Sequence, residues 1–247
     1  MNVDDVMTML ETGRVSTVQL ARRSGVSRNT QWLLRQDPTR AKLSTLRELA
    51  LAYGLDLVIQ TQPASDALAS AAARWILGDF TDPGASATAI QDWVVRLQRW
   101  TGDTEPLKVA AAAATVAAPQ NRTGSVLLRG RKDATRMASA GSASGQPWAL
   151  SGGPALTALG IEVPSDAPTV MWAAEPSRIR ELLGPTHEPT RVLGAASVII
   201  SPSSDLVVAG ATEVDGIPLV TPVQMLIDCL GVGGPLAELA ETVAKEW

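Results

Sequence analysis

"LARRSGVSRNTQWLLR" (residues 20–35) decides how the front of this chain is read. It holds four arginines, Arg22, Arg23, Arg28 and Arg35, in a protein whose formal net charge is −4. Two short helices joined at a glycine account for the pattern. Ser16 and Thr17 are N-cap candidates for "VQLARRS", which stops at Gly25, and Ser27 caps a second helix running through "RNTQWLLRQ" to Asp37-Pro38. Upstream, "VDDVMTMLETG" (3–13) sets Val3, Val6, Met7 and Leu10 at helical spacing, with Gly13 as a stop. Downstream, "STLRELALAYG" (44–54) reads as a fourth helix, capped by Ser44 or Thr45, with Glu48 in capping-box position to Thr45.

A helix pair with a three-residue turn, a glycine in the turn and a serine cap is the geometry of a helix-turn-helix. Ala21 permits close packing, and Gly25 supplies a turn conformation that a side chain resists. In such a unit the second helix enters the major groove and offers its first residues to base edges. Those residues are Ser27, Arg28 and Asn29, with Trp32 one turn later. Arginine suits a guanine edge and asparagine an adenine edge. Arg22, Arg23, Arg35, Arg40 and Lys42 are expected on phosphates, where they set affinity rather than sequence.

Together, "VQLARRSGVSRNT" and "LSTLRELALAYGLDL" resemble the Xre family, the lambda-repressor-like helix-turn-helix domains of bacterial and phage regulators. The resemblance covers residues 1 to about 60 and implies operator binding as a homodimer on inverted repeats. Ser24 and Gln31 stand where that family usually carries a buried aliphatic.

The 247 residues suggest two domains, or three small ones, and the 45% apolar content supplies sizeable cores. No apolar run is long enough to cross a bilayer, and "MNVDDVMTML" has no basic leader region, so a cytoplasmic protein is expected. A single cysteine, Cys229, excludes an internal disulfide. A single histidine, His187, excludes a metal site built from several Cys and His ligands, and no cofactor is expected. The charge is uneven: residues 1–62 hold eight Lys/Arg against six Asp/Glu, net +2, and residues 63–247 hold thirteen against nineteen, net −6. A basic face on an acidic body fits a protein that grips an anion at one end.

Three regions are expected: a helix-turn-helix domain (1–62), a helical middle region (63–147) and an α/β domain (148–247). The fold class is thus a mainly α front, a helical middle and an α/β or α+β C-terminal domain. In the middle region, helices are read at 65–80, 86–102 and 107–119, with the breaker "TDPGA" after the first. Trp75, Trp93 and Trp100 are assigned to the core. "SVLLRGRKDATRMAS" (125–139) reads as a strand and a helix with a second basic cluster, Arg129, Arg131, Lys132 and Arg136. It is open to three readings: a winged-helix-like DNA contact, a dock for an acidic partner, or a solvated face.

From Trp148 onward, "WALSG", "APTVMWAA", "ASVIISPS" and "DLVVAGATEVDGIPLV" read as strands, and "PSRIRELLG" and the stretch from Thr221 to the C-terminus as helices. "LSGGPAL…PSDAPTVMW" has the look of a minimal nucleotidyltransferase fold. The paired carboxylates that would hold magnesium are missing from its strand, so that look is degenerate. The order of the last hundred residues resembles the C-terminal domain of AbiEi-type antitoxins of type IV toxin–antitoxin systems, which implies a cognate toxin protein as partner. No catalytic residue is assigned: His187 lies in a proline-flanked loop beside Glu188, Cys229 is on an apolar helix, and neither G-x-S-x-G nor a dinucleotide loop occurs. The expectation is a non-enzymatic, sequence-specific DNA-binding transcriptional regulator, a repressor acting on its own operon. The alternatives are an antitoxin that neutralises a nucleotidyltransferase toxin and, further off, a nucleotidyltransferase-like enzyme.

Overall fold

Local sequence signals set where the helices of the N-terminal unit begin and end. The computed structural model describes Thr8, Thr12 and residues 15–79, 84–102 and 104–245. Helix α1 (Thr17–Ser24) starts at Ser16, whose hydroxyl accepts from Gln19 N–H at 3.3 Å. It ends at Gly25, whose φ of 69° is the left-handed conformation that closes a helix with little penalty only for glycine. Helix α2 (Arg28–Gln36) starts at Ser27, which accepts from Thr30 N–H at 3.1 Å, and gives way at Asp37 to a 3-10 turn, Pro38–Arg40. The expected helix 3–13 and its stop at Gly13 lie outside the described residues, save that Thr8 and Thr12 are helical.

Helix α3 (Leu43–Ala52) corrects one expectation. It begins one residue before Ser44, with Lys42 in the cap position and no side-chain cap, so the capping box of Thr45 and Glu48 does not form. Leu20, Leu34, Leu46 and Leu49 close the core of this unit. Burying each such side chain contributes roughly 1.5–3 kcal/mol.

Residues 63–247 form a second unit. Helices α4 (Ala67–Ile76), α5 (Ala87–Thr101) and α6 (Pro106–Ala117) precede β1 (Val126–Gly130) and α7 (Ala134–Ser144). Then come β2 (Trp148–Gly152), α8 (Gly153–Ala158), β3 (Thr169–Ala173), α9 (Pro176–Leu183), β4 (His187–Thr190) and β5 (Val198–Pro202). The chain continues as α10 (Asp205–Val208), β6 (Thr212–Val214), β7 (Ile217–Leu219), α11 (Pro222–Val232) and α12 (Pro235–Ala244). The seven strands make one mixed sheet in the order β4-β1-β5-β3-β2-β7-β6, so the structure is a mixed α and β fold. Residues 80–83, which hold the last residue of the helix expected at 65–80 and the first three of the expected breaker, lie outside the described residues.

Period-two alternation divides the strands between two cores. Ala149, Val170, Trp172 and Ile199 face the core shared with α4–α6, α11 and α12. Leu128, Leu150, Met171, Val198 and Ile200 face α7 and α9 on the other side. Because β1 is hydrogen-bonded between β4 and β5, the boundary expected at 147/148 falls inside one sheet. The basic strand and helix of 126–144 are thus parts of that sheet and of the layer packed on it, rather than a separate winged unit.

Three further readings are corrected. "DLVV" (205–208) is a helical turn, and "HEPT" (187–190), expected as a loop, is an edge strand paired with β1. Trp75 and Trp100 are 41% and 49% exposed rather than core residues; of the three tryptophans only Trp93 is partly buried, its Nε1 donating to Asp66 Oδ2 at 3.0 Å.

Gly141 in α7 lies flat against the Trp148 indole, and an added Cβ would sit 2.3 Å from that ring. Alanine is ordinarily the better helix former by about 1 kcal/mol. Here Gly141→Ala is expected instead to lower stability by about 1–3 kcal/mol, because the overpacked ring or helix must move. Urea denaturation measures this directly; a gain in stability would contradict the packing.

Candidate functional site

The exposed side of α2 gathers the residues expected to read bases. Gln31 and Leu34 face inward, and Arg28, Asn29 and Trp32 face outward, with Trp32 55% exposed. Arg28 and Asn29 lie one turn before Trp32, so the three share a face. Ser27 stands at the same end, but its hydroxyl is committed to the cap and to Thr30 Oγ1 at 2.9 Å.

Ser24 and Gln31 hold this helix pair together in a way an aliphatic residue would not. Ser24 Oγ donates to Leu20 O at 2.7 Å and accepts from Val26 N–H at 3.1 Å. Gln31 Nε2 donates to Val26 O at 2.9 Å. Both polar side chains therefore tie the turn at Gly25–Ser27 to the helices on either side.

The expected phosphate contacts divide. Arg22 and Arg23 occupy the last turn of α1, where a cation is favoured by the helix dipole, and both are exposed. Arg23 Nη1 also reaches Ala52 O at 3.5 Å. Lys42 is exposed, and Arg40 pairs with Asp37 at 3.0 Å in a well-solvated ion pair. Hydrogen bonds from Thr39, with the Arg40 charge beside them, hold the Asp37 carboxyl below its usual range against the opposing effect of burial. Arg35 turns inward: it is half-buried, its Nε is buried without a partner, and its charge acts on Tyr53. Burial raises the Tyr53 hydroxyl and the Arg35 charge works against it.

The second basic cluster does not form one open face. Arg129 pairs with Glu188 at 2.9 Å, Arg136 Nη2 donates to Leu182 O at 2.9 Å and Lys132 Nζ donates to Ser165 O at 2.6 Å. Arg131 is exposed, and its carbonyl is bonded to His187 Nε2 at 2.9 Å. His187 is 4% exposed with its other ring nitrogen on Thr186 Oγ1, which suits a packing role. Cys229 is sealed in the core, and burial pushes its thiol well above the usual range, so the reactive thiolate is suppressed.

A buried acid, Asp228, is a feature that sequence reasoning missed. Its side chain is fully buried on α11, facing the sheet. Trp172 Nε1 donates to Oδ2 at 2.8 Å and Gln224 Nε2 to Oδ1 at 2.8 Å. Arg122 lies over the Trp172 ring, 4.8 Å from its centroid. Burial pushes the Asp228 carboxyl up to about 6, held there against the hydrogen bonds and the Arg122 charge that favour ionisation. The one signal in "QMLIDCL" is a Gln and an Asp four apart in an otherwise apolar helix.

Among the described residues, no group of three His, Cys, Asp or Glu side chains could hold a metal ion, and no helix is long and apolar enough to cross a membrane. No family model, curated protein or solved structure matches the chain.

Proposed function

We propose that residues 1–62 are a helix-turn-helix unit that binds double-stranded DNA, and that the protein is a sequence-specific transcriptional regulator, a repressor of its own operon. The observation that carries this reading is the exposed triplet Arg28, Asn29 and Trp32 at the start of α2, with Arg22 and Arg23 exposed at the end of α1. Arg28 and Asn29 suit guanine and adenine edges, and the flanking arginines suit phosphates. A homodimer on an inverted repeat is the geometric corollary. Selection from a pool of random duplexes tests it: enrichment of an inverted repeat supports the reading, and an unenriched pool removes it.

Two substitutions separate the roles. Arg28→Ala is expected to weaken binding by about 1–3 kcal/mol and to relax preference at one or two base positions. Arg23→Ala should weaken binding to all duplexes alike and reduce the magnitude of the salt slope by about 1. Fluorescence anisotropy on single-base variants of the selected site distinguishes them; uniform losses for both would overturn the assignment of Arg28.

A second reading has its own observation. Trp100 is half exposed, edge-on to Trp93 at 5.9 Å, with Arg96 over the Trp93 ring at 4.9 Å. Aromatic and arginine side chains are favoured at protein interfaces, which supports a partner-binding role for residues 63–247, with the toxin of an antitoxin pair as one such partner.

A further inference from the structure

The second unit holds a cleft of about 700 Å³ at one end of its sheet, between Lys132, helix α8, the start of β3 and the β6–β7 hairpin. That volume lies within the roughly 300–1,000 Å³ typical of small-molecule sites. We propose that this cleft binds a small apolar carboxylate, its acid group on Lys132 and its body against the aliphatic walls. The proposal is independent of whether residues 1–62 bind DNA.

The walls are chiefly aliphatic: Val163, Val214, Ile217 and Leu219 line the cleft. Four side-chain donors interrupt them, the Lys132 ammonium and the hydroxyls of Thr157, Ser165 and Thr169. Lys132 Nζ gives one proton to Ser165 O, which leaves two of its three donors. Neither threonine hydroxyl has a hydrogen-bond partner among the described residues. Thr169 is only 4% exposed as a residue and lines the cleft, where its hydroxyl is placed to donate to an acceptor. Burial lowers the Lys132 pKa, and the Asp166 charge opposes that shift; a bound anion would oppose it further. Asp215 lines the cleft and the Asp166 charge acts on Lys132; both carboxylates are solvent-exposed and so well screened.

The same inventory selects one negative charge rather than several. Lys132 is the one cation among the lining residues, and among the described residues no acidic cluster exists to recruit a metal. A polyphosphate would leave most of its charge unpaired there. A monocarboxylate matches one ammonium and the hydroxyls around it, and its apolar remainder matches the walls.

Isothermal titration of the full chain tests this with 1-naphthoate as the probe and 1-naphthalenemethanol as its uncharged counterpart. Naphthoate is expected to bind at one site per chain and about tenfold more tightly than the alcohol. Lys132→Met should bring naphthoate to the level of the alcohol, and Ala158→Trp, which fills the cleft, should abolish both. If Lys132→Met does not fold, Thr169→Val is read instead, with an expected loss of about threefold. Equal affinity for the two probes, naphthoate binding indifferent to these substitutions, or no heat with either probe would each overturn the proposal.

Discussion

Replacing Arg74 with methionine is expected to destabilise residues 63–247 by about 3–5 kcal/mol. Arg74 is completely buried, on α4. Its Nε pairs with Asp79 at 3.0 Å, Nη1 donates to Leu206 O at 2.7 Å and Nη2 donates to Ala209 O at 2.6 Å. Those carbonyls belong to α10 and the residue after it, more than 130 positions along the chain. One guanidinium therefore ties the first helix of the unit to the segment that leads into β6. Methionine fills much of the volume but leaves Asp79 without its cation and the carbonyls without donors, and unmet buried groups cost more than the net worth of the bonds. Denaturant unfolding of the variant against the parent measures the effect; a loss below about 1 kcal/mol would show that water or a shifted α10 satisfies those groups.

The second large effect depends on pH. The Asp228 carboxyl stands near 6 in the folded chain against an ordinary value of 3.8. Because its folded pKa is raised, the folded state holds this proton more tightly than the unfolded state. Its contribution to stability is therefore fully present below pH 3.8 and is lost as pH rises to about 6. The size is on the order of 3 kcal/mol. Asp228→Asn removes the titration while keeping the shape. The difference in unfolding free energy between variant and parent should therefore shift by about 2 kcal/mol in favour of the variant between pH 4 and pH 7. Comparing the two at both values cancels every other titrating group. A difference independent of pH would mean that Asp228 is already ionised when folded, held so by Arg122, Trp172 and Gln224.

Local chemistry was legible where one residue decided one outcome. Ser16, Gly25 and Ser27 marked the helix ends because capping bonds and a left-handed φ depend on the residue itself. The strands at β2, β3 and β5 were legible because buried strands read as short apolar runs. Tertiary context hid the rest. "HEPT" looks unlike a strand, yet a proline is tolerated on an edge, and β4 is the edge of the sheet. "DLVV" has a strand's composition, but α10 is fixed there by carbonyl bonds to a distant arginine. The exposure of Trp75 and Trp100 was not legible, since the helical period defines a face without saying which face is covered.

The candidate interface was legible in part. Arg28, Asn29 and Trp32 do share an exposed face. Helical periodicity around "SRNTQWLLRQ" did not show that Arg35 turns toward Tyr53 or that the Ser27 hydroxyl is spent on its cap. Asp228, Trp172 and Arg122 come from three separate segments that only the assembled sheet brings together.

The most direct measurement is anisotropy of the full chain with the duplex upstream of its own reading frame, over a salt series, against an unrelated duplex of equal length. Expected is binding to the upstream duplex at least about a thousandfold tighter than to the control, weakening steeply as salt rises. Equal affinity for the two duplexes, or no binding at low salt, would contradict the assignment of residues 1–62 as a sequence-reading DNA-binding unit.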